Sequence, residues 1–290
     1  MGTMVYLNGQ FVTKEEAKIS IFDHGYLFGD GIFETLRSYE GSIFKLNEHL
    51  ERFFDSARYM SMTVPYSKIE LQNLSYDLLK KSGLNDAYLR ITLSRGIGER
   101  GIDPDQCKSP TLSIIAKDLP LYPQEYYSQG IPSMIVSIRK ISDDSMSNRV
   151  KSCNYQNNIL AKIELNRHKM IEGFLLNTQG FISEGTVSNV FIIKKGIILT
   201  PSMVSGCLEG ITRNTVIDVA GKELGKNVQE TQISRYDFYT ADECFITNTL
   251  MELMPVISVD GRLIGRGLPG SITQELSHQF KHYVKRRSPS

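Results

Sequence analysis

The chain has 290 residues, of which 41% are hydrophobic and 22% are charged, as in a soluble globular protein with one large or two medium domains. Its net charge of +1 excludes an overall electrostatic field that would attract nucleic acid or an anionic membrane. No apolar run approaches the roughly 20 residues of a membrane span, and the N-terminus lacks a secretory signal, so neither nucleic acid nor membrane is expected as a partner.

The first part of the chain predicts an α+β domain. Asn8-Gly9 lies between two short apolar segments and is the strongest short signal for a β-hairpin. Asn47 can cap a helix that follows a second pair of extended segments. Another helix, at about 68–82, is predicted to end at Gly83, because glycine readily adopts the left-handed conformation that terminates helices.

The segment 87–95 alternates cleanly between apolar and polar residues, which is the pattern of a strand with one buried face. The apolar residues that we expect in the core are Ala87, Leu89, Ile91 and Leu93. Tyr88 and Arg90 lie on the opposite, polar face, which is available to line a site.

A glycine-rich motif, Gly96-Ile97-Gly98-Glu99-Arg100-Gly101, follows this strand and matches the dinucleotide-binding pattern G-x-G-x-x-G. The pattern binds a pyrophosphate only where a helix begins at the glycines. Asp103-Pro104 instead continues the segment as a loop. We therefore predict a mobile loop near a substrate and no nicotinamide site.

The best domain boundary is the proline-containing segment 118–123, because two prolines within four residues prevent regular structure. The predicted division is a small α+β domain at 1–120, an interdomain linker at 121–131 and a large domain at 132–290. In the large domain, strands alternate with helices at about 156–171 and 212–224.

Cysteines and histidines give no disulfide or metal signal. The four cysteines are widely spaced and lack a C-x-x-C pair, which favours the reducing cytoplasm. His278 and His282 are four residues apart on the last predicted helix, but no third ligand accompanies them. We therefore expect a cytoplasmic protein without a metal site.

Three features of the second part together indicate a cofactor site. Lys151 leads into a predicted helix, on which Tyr155 would lie on the side of the lysine. Glu184 falls between two apolar segments, and Gly210-Ile211-Thr212 opens another helix. Pyridoxal phosphate needs an amine for its Schiff base, a carboxylate for its pyridine nitrogen and free N–H groups for its phosphate. Each residue alone has an ordinary structural explanation, and their conjunction predicts the cofactor.

The sequence resembles the class IV (fold type IV) pyridoxal-phosphate enzymes, which include branched-chain aminotransferases, D-amino-acid transaminases and aminodeoxychorismate lyases. The resemblance covers nearly the whole chain and is carried by Phe28-Gly29-Asp30-Gly31-Ile32-Phe33-Glu34-Thr35, His49-Leu50-Glu51-Arg52, Lys151 through Tyr155, Glu184-Gly185 with Ser188-Asn189-Val190-Phe191, Thr200-Pro201, Gly210-Ile211-Thr212-Arg213, and Ala241-Asp242-Glu243 with Thr249. It implies a two-domain fold that combines α+β and α/β parts, with the cofactor at the domain interface, and a homodimer.

The same resemblance implies a role for each matching residue. Lys151 would form the Schiff base and then move the Cα proton of the substrate, and Glu184 would pair with the pyridine nitrogen. The phosphate would be held by Arg52, the amides of Ile211 and Thr212, and Thr249. Tyr155 would bond the ring hydroxyl, and Leu208 would pack on the ring.

The resemblance leaves three substrate classes open. Tyr88 and Arg90 match the branched-chain enzymes, and the other expected substrate residues are Phe28, Phe33, Arg37 and Leu250. The first hypothesis is a transaminase acting between a branched-chain or apolar L-amino acid and 2-oxoglutarate. Thr35 and the segment 248–255 instead resemble the lyases that release pyruvate and 4-aminobenzoate, and Val187 replaces a glycine of many branched-chain enzymes. A D-amino-acid transaminase is the third alternative.

Overall fold

The computed structural model describes residues 2–287, which divide into two compact units. The first unit comprises the chain up to Pro120, the segment Val150–Asn154 and the end of the last helix from Val284. The second unit comprises Leu121–Arg149 and Tyr155–Tyr283, so the segment predicted as a linker belongs to this unit.

The first unit is a six-stranded sheet with helices. Its elements are β1 (Met4–Leu7), β2 (Gln10–Thr13), α1 (His24–Phe28), β3 (Gly31–Tyr39), β4 (Ser42–Ile43), α2 (Leu46–Tyr59), α3 (Lys68–Ser82), β5 (Ala87–Ser94), a 3₁₀ turn (Pro104–Gln106) and β6 (Thr111–Asp118). All strand pairs are antiparallel, in the order β2-β1-β6-β5-β3-β4. Helix α2 packs against β3, and α3 packs against β1 and β6.

Local signals in the first unit are largely confirmed. Asn8 and Gly9 form the predicted hairpin turn with φ of 44° and 97°. Helix α3 has the predicted bounds and ends at Gly83 in the left-handed conformation. The prediction that Asn47 caps α2 is wrong. The chain turns two residues earlier, at Lys45 with φ of 53°, so the helix already begins at Leu46 and Asn47 lies inside it.

The central strand β5 has the predicted two faces. Its apolar residues Ala87, Leu89, Ile91 and Leu93 are fully buried. The polar residues Tyr88, Arg90 and Thr92 alternate with them and are partly exposed, since successive side chains of a strand point to opposite faces. Ser94, at the end of the strand, is buried. After β5, the glycine-rich motif continues as a loop that leads to the 3₁₀ turn, and no helix begins at the glycines. The predicted loop, on which the argument against a nicotinamide site depends, is therefore confirmed.

The second unit contains two sheets. Its elements are α4 (Gln124–Ser128), β7 (Ile131–Ser133), β8 (Ile135–Arg139), α5 (Gln156–Arg167), β9 (Phe174–Leu176), β10 (Ile182–Gly185), β11 (Asn189–Lys194), β12 (Ile197–Pro201), a 3₁₀ turn (Met203–Ser205), α6 (Ile211–Leu224), β13 (Val228–Thr231), α7 (Arg235–Tyr239), β14 (Glu243–Asn248), β15 (Glu252–Val259), β16 (Arg262–Leu263) and α8 (Ser271–Arg287), whose last residues belong to the first unit. One sheet has the order β10-β9-β8, and the other has the order β13-β12-β11-β14-β15-β16 with β7 paired to β15.

An apolar core joins the strands and helices of the second unit. The rings of Phe174 on β9 and Phe238 on α7 meet edge to face, with centroids 4.6 Å apart, and both are fully buried. The rings of Phe191 and Phe245 stack at 4.8 Å between neighbouring strands. Within residues 2–287, no helix combines the length and the apolar character that crossing a membrane requires. These strands position the site residues described next.

Candidate active site

Lys151 lies on an extended segment of the first unit. The carbonyl of Lys151 accepts a hydrogen bond from the Phe33 N–H at 2.9 Å, and the Cys153 N–H donates to the Gly31 carbonyl at 2.7 Å. Because these bonds tie the segment to β3, it cannot form a helical turn, and α5 begins only at Gln156. The expectation of a helical path from Lys151 to Tyr155 is therefore wrong.

The Lys151 amine and the Arg90 guanidinium both lie close to the ring of Phe33 in this unit. Its Nζ lies 4.7 Å from the ring centre of Phe33, and the guanidinium carbon of Arg90 lies 3.7 Å from the same ring centre. Cations are attracted to ring faces at such distances. Gly31 permits the close approach, because a Cβ there would lie 2.8 Å from the Leu93 carbonyl oxygen and 3.2 Å from the Cys153 sulfur. The structure thus brings together three residues that the sequence proposed for the site.

Arg52 belongs to a buried ionic cluster that the sequence did not predict. Its Nε and Nη2 donate to the Glu34 carboxylate at 2.7 and 2.8 Å, and His49 Nδ1 lies 2.7 Å from Glu34 Oε2. Burial alone would raise the pKa of Glu34, but Arg52 and His49 outweigh it and hold that pKa at about 2. The carboxylate therefore stays ionised and fixes the orientation of the guanidinium.

Burial acts on the pKa of His49 in the opposite direction from the pKa of Glu34. Burial lowers the pKa of His49 below its ordinary value, and the charges of Arg52 and Lys151 add to this effect against the opposing charge of Glu34. The influence of Lys151 on His49 indicates that the Lys151 amine and the Arg52 cluster share one electrostatic environment. Both Glu34 and His49 lay within the quoted motifs, but their sequence separation gave no signal of the pairing.

The other expected substrate residues of the first unit lie on β3, β5 and α1. Arg37 pairs directly with Tyr88 across the two strands, and Thr35 pairs with Arg90, so these side chains share one face with Phe33. Phe28 ends α1 and is exposed to 47%.

In the second unit, Glu184 is a buried carboxylate on β10 with two partners. Its Oε1 accepts a hydrogen bond from the Lys140 ammonium, and its Oε2 accepts the Leu208 N–H at 2.8 Å. Burial alone would lower the pKa of Lys140, but the charge and hydrogen bond of Glu184 outweigh it and raise that pKa above its ordinary value. Sequence reasoning missed Lys140, because nothing in the sequence connects two residues so far apart along the chain.

The N-terminus of helix α6 lies near Glu184 and has the features of an anion-binding site. Gly210 occupies the N-cap position. Among the described residues, no side chain accepts a capping hydrogen bond from the first N–H groups of this helix. A Cβ at Gly210 would lie 2.0 Å from Asn189 Oδ1, so a larger residue there would displace the Asn189 side chain. Ile211 and Thr212 open the helix, where backbone N–H groups and the helix dipole favour negative charge. A phosphate therefore matches the chemistry of this helix start.

The remaining expected cofactor residues lie at element ends of the second unit. Tyr155 is the N-cap residue of α5 and acts electrostatically on Lys140. Thr249 and Leu250 lie in the turn between β14 and β15, where Asn248 Oδ1 accepts the Leu250 N–H at 2.9 Å. Among residues 2–287, no group of three or more histidine, cysteine or acidic side chains could hold a metal ion.

Comparisons with known proteins identify the family of the chain. The family model described as amino-transferase class IV matches residues 31–259. A protein of Methanocaldococcus jannaschii that is provisionally named a branched-chain-amino-acid aminotransferase is 44% identical, over 96% of this chain and 95% of that protein.

Solved structures show the same fold. A crystal structure of branched-chain amino acid aminotransferase from Escherichia coli superimposes with a TM-score of 0.95 at 33% identity, over 100% of this chain and 97% of that chain. The branched-chain amino acid aminotransferase from Thermobaculum terrenum in its PLP form superimposes with a TM-score of 0.87 at 27% identity, over 99% and 95% of the two chains. The expected fold class is therefore confirmed. Since the family model spans well over half of the chain, the protein belongs to the class IV aminotransferases and is an enzyme of that class.

Proposed function

We propose that the protein is a pyridoxal-phosphate-dependent transaminase that moves an amino group between a branched-chain or similarly apolar L-amino acid and 2-oxoglutarate. The observation that carries the proposal is the grouping in the second unit of the Glu184 carboxylate, the Leu208 amide bound to it and the uncapped start of α6. This grouping has the acceptor and the anion site that pyridoxal phosphate needs.

The residues present fit this cofactor. Glu184 would accept the hydrogen bond of the protonated ring nitrogen, and the amides of Ile211 and Thr212, with Thr249 and Arg52, would bind the phosphate. Tyr155 would bond the ring hydroxyl, Leu208 would pack on the ring, and Lys151 would supply the amine that holds the cofactor covalently. When bound, the cofactor supplies an electron-withdrawing ring that stabilises negative charge at the substrate Cα.

Each residue then has a definable task in the reaction. Lys151 would hold and move the proton at the substrate Cα, which requires the amine in its neutral form. Glu34 and His49 would orient Arg52 through the contacts described above. Lys140 would hold the Glu184 carboxylate in place through the hydrogen bond that its ammonium donates.

The substrate assignment rests on the named relatives and on the polar face of β3 and β5. Arg90 and Arg37 offer cations for a substrate carboxylate, and Tyr88 lies directly opposite Arg37. Phe33, Phe28 and Leu250 would offer apolar surface. The compared proteins carry the name of branched-chain aminotransferases, which favours neither the lyase nor the D-amino-acid alternative.

The homodimer is proposed from an exposed apolar segment at 19–28 of the first unit. Six large apolar residues there expose between 46% and 67% of their surface: Ile19, Ile21, Phe22, Tyr26, Leu27 and Phe28. Contiguous apolar surface of this kind marks interaction sites. Sedimentation at micromolar concentration should give twice the chain mass.

A cytoplasmic location is proposed from the four free cysteines, which suit a reducing compartment.

The function is tested by trapping and by product analysis. Borohydride reduction of the protein incubated with pyridoxal phosphate should leave the cofactor on the peptide that contains Lys151. L-leucine with 2-oxoglutarate should give glutamate, whereas D-alanine should give none and aminodeoxychorismate should give no 4-aminobenzoate. A Lys151 peptide without the adduct would refute the cofactor assignment, and 4-aminobenzoate formation without transamination would establish the lyase.

A further inference from the structure

Glu172 is a buried charge of the second unit that has no part in the function proposed above. It lies two residues before β9 and is exposed to only 1%. An ionised carboxylate at such depth must be compensated by charge or by hydrogen bonds. The compensation here comes from five neutral donors, which are the N–H groups of Gly173, Thr186 and Val187 and the hydroxyls of Thr186 and Ser188.

Four of these five donors belong to the turn 186–188, which links β10 to β11. Oε1 of Glu172 accepts the Thr186 N–H at 2.8 Å and its hydroxyl at 2.5 Å. Oε2 accepts the Val187 N–H at 3.2 Å and the Ser188 hydroxyl at 3.0 Å. Because two of the bonds come from the backbone, the carboxylate determines the path of the chain itself.

The turn is fixed on its other side as well. Asn158 donates to the Thr186 carbonyl at 2.6 Å, and Asn248 donates to the Val187 carbonyl at 3.1 Å. Gly185, the last residue before the turn, is closely packed, since a Cβ would lie 2.2 Å from the Ser188 hydroxyl oxygen and 3.1 Å from the Glu172 carboxyl carbon.

The residues at the two ends of this turn hold the same peptide segment. Glu184, just before the turn, accepts the Leu208 N–H at 2.8 Å. Asn189, just after it, donates to the Leu208 carbonyl at 2.8 Å and lies against Gly210, where an added Cβ would meet Asn189 Oδ1 at 2.0 Å. The spacing of Glu184 and Asn189 therefore determines where Leu208 and the start of α6 lie.

We propose that Glu172 is a positioning residue for the cofactor: by shaping the turn 186–188 it sets the spacing of Glu184 and Asn189, and through them the position of Leu208 and of the α6 N-terminus. This inference rests on the proposed function, because it assigns the ring nitrogen to Glu184 and the phosphate to α6. Glu172 itself touches neither group.

The test compares Glu172→Gln with a matched control, Glu243→Gln. Glu243 also accepts three neutral donors in the second unit, the N–H groups of Ile272 and Thr273 and the Thr273 hydroxyl, but it holds the start of α8 instead of the turn. Glutamine keeps the volume of glutamate, and its amide nitrogen faces the N–H donors with no acceptor to offer.

Both variants should lose thermal stability, but only Glu172→Gln should weaken the binding of pyridoxal phosphate. We expect the dissociation constant to rise about tenfold, the factor that corresponds to about 1.4 kcal/mol. The visible circular dichroism of the bound cofactor should also change for Glu172→Gln and not for Glu243→Gln. Equal changes in both variants, or an unchanged affinity and dichroism in Glu172→Gln, would overturn the proposal.

A milder pair keeps the test decisive if Glu172→Gln does not fold. Thr186→Val removes one donor to Glu172 without changing the size of the side chain, and Thr186→Ser retains that donor. The valine variant should weaken cofactor binding and the serine variant should restore it. The opposite order would contradict the proposal.

A measurement without the cofactor separates this inference from the proposed function. Hydrogen exchange of the Thr186, Val187 and Leu208 amides in the cofactor-free chain should be slow in the wild type and faster by about tenfold or more in Glu172→Gln, because a lost acceptor releases the turn. Failure of the wild type to bind pyridoxal phosphate would refute the function alone. Unchanged exchange at these amides would refute the role of Glu172 alone.

Discussion

Glu34 of the first unit and Glu172 of the second are carboxylates buried to nearly the same degree, at 0% and 1% exposure, but they are stabilised in different ways. Glu34 is compensated by charged or titratable side chains, Arg52 and His49. Glu172 is compensated by neutral donors, several of them from the backbone. Pairing with side chains orients those side chains, whereas pairing with backbone amides shapes the chain.

The two units also differ in their proposed tasks. The first unit carries the Lys151 amine, the Phe33 ring beside it and the ionic cluster of Glu34, His49 and Arg52. The second unit carries a carboxylate and a helix start whose spacing is set by backbone hydrogen bonds. If the two units divide the tasks in this way, substitutions in the first unit should change turnover and stability. Substitutions in the second unit should change the affinity for the cofactor.

The largest effect on turnover is expected from Lys151→Ala. This variant removes the reactive amine and keeps the residues of the second unit that would bind the cofactor. Removing a group that transfers the Cα proton should lower kcat by at least about 10²–10⁴-fold. Non-covalent binding of pyridoxal phosphate should persist, because the residues of the second unit are unchanged. The measurements are steady-state turnover and equilibrium dialysis. Substantial turnover in the variant would refute the division of tasks.

The next effect concerns the charged environment of Glu34. Glu34→Gln leaves Arg52 and His49 buried without their anion and should cost about 3–5 kcal/mol in the free energy of unfolding, measured in urea. The double variant Glu34→Gln/Arg52→Met should lose less than the sum of the two single variants, since the second change removes the uncompensated charge. Additive losses would contradict the ion pair.

Acid should destabilise the wild type through the same group. The pKa of Glu34 is lowered from an ordinary 4.5 to about 2, so its stabilising contribution is complete above about pH 4.5 and is lost as the pH falls towards 2. By linkage the contribution is roughly 3 kcal/mol, of which roughly 2 kcal/mol should be gone at pH 3. Urea unfolding at pH 6 and pH 3 measures this loss, and the decline should be smaller in Glu34→Gln. An equal decline in both proteins would assign acid sensitivity to other groups.

The smallest effect is expected for an exposed ion pair. Lys222 and Asp218 lie 3.2 Å apart on α6, with 70% and 46% of their side chains exposed. Asp218→Asn should change the free energy of unfolding by less than about 0.5 kcal/mol, because water already screens the charges. If Asp218→Asn lost as much free energy of unfolding as Glu34→Gln, burial would not determine how much an ion pair of this protein contributes.

Local signals predicted much of the fold. The hairpin at Asn8-Gly9, the helix that ends at Gly83 and the two faces of β5 depend on short-range backbone preferences and on side-chain periodicity, which are readable from neighbouring residues. The errors arose where a distant contact overrode the local pattern. The segment at Lys151 was expected to be helical, but its backbone groups are bound to β3, which lies far away in the sequence.

The sequence by itself determined the kind of chemistry, because Lys151, Glu184 and the glycine before α6 supply the functional groups that pyridoxal phosphate needs and match a known family. Only the tertiary structure decided which groups support them. Arg52 pairs with Glu34, Lys140 with Glu184, and Glu172 with the turn 186–188. The physical reason is that a buried charge is compensated by whatever donors the fold brings to it, and donors that are distant in sequence leave no local pattern.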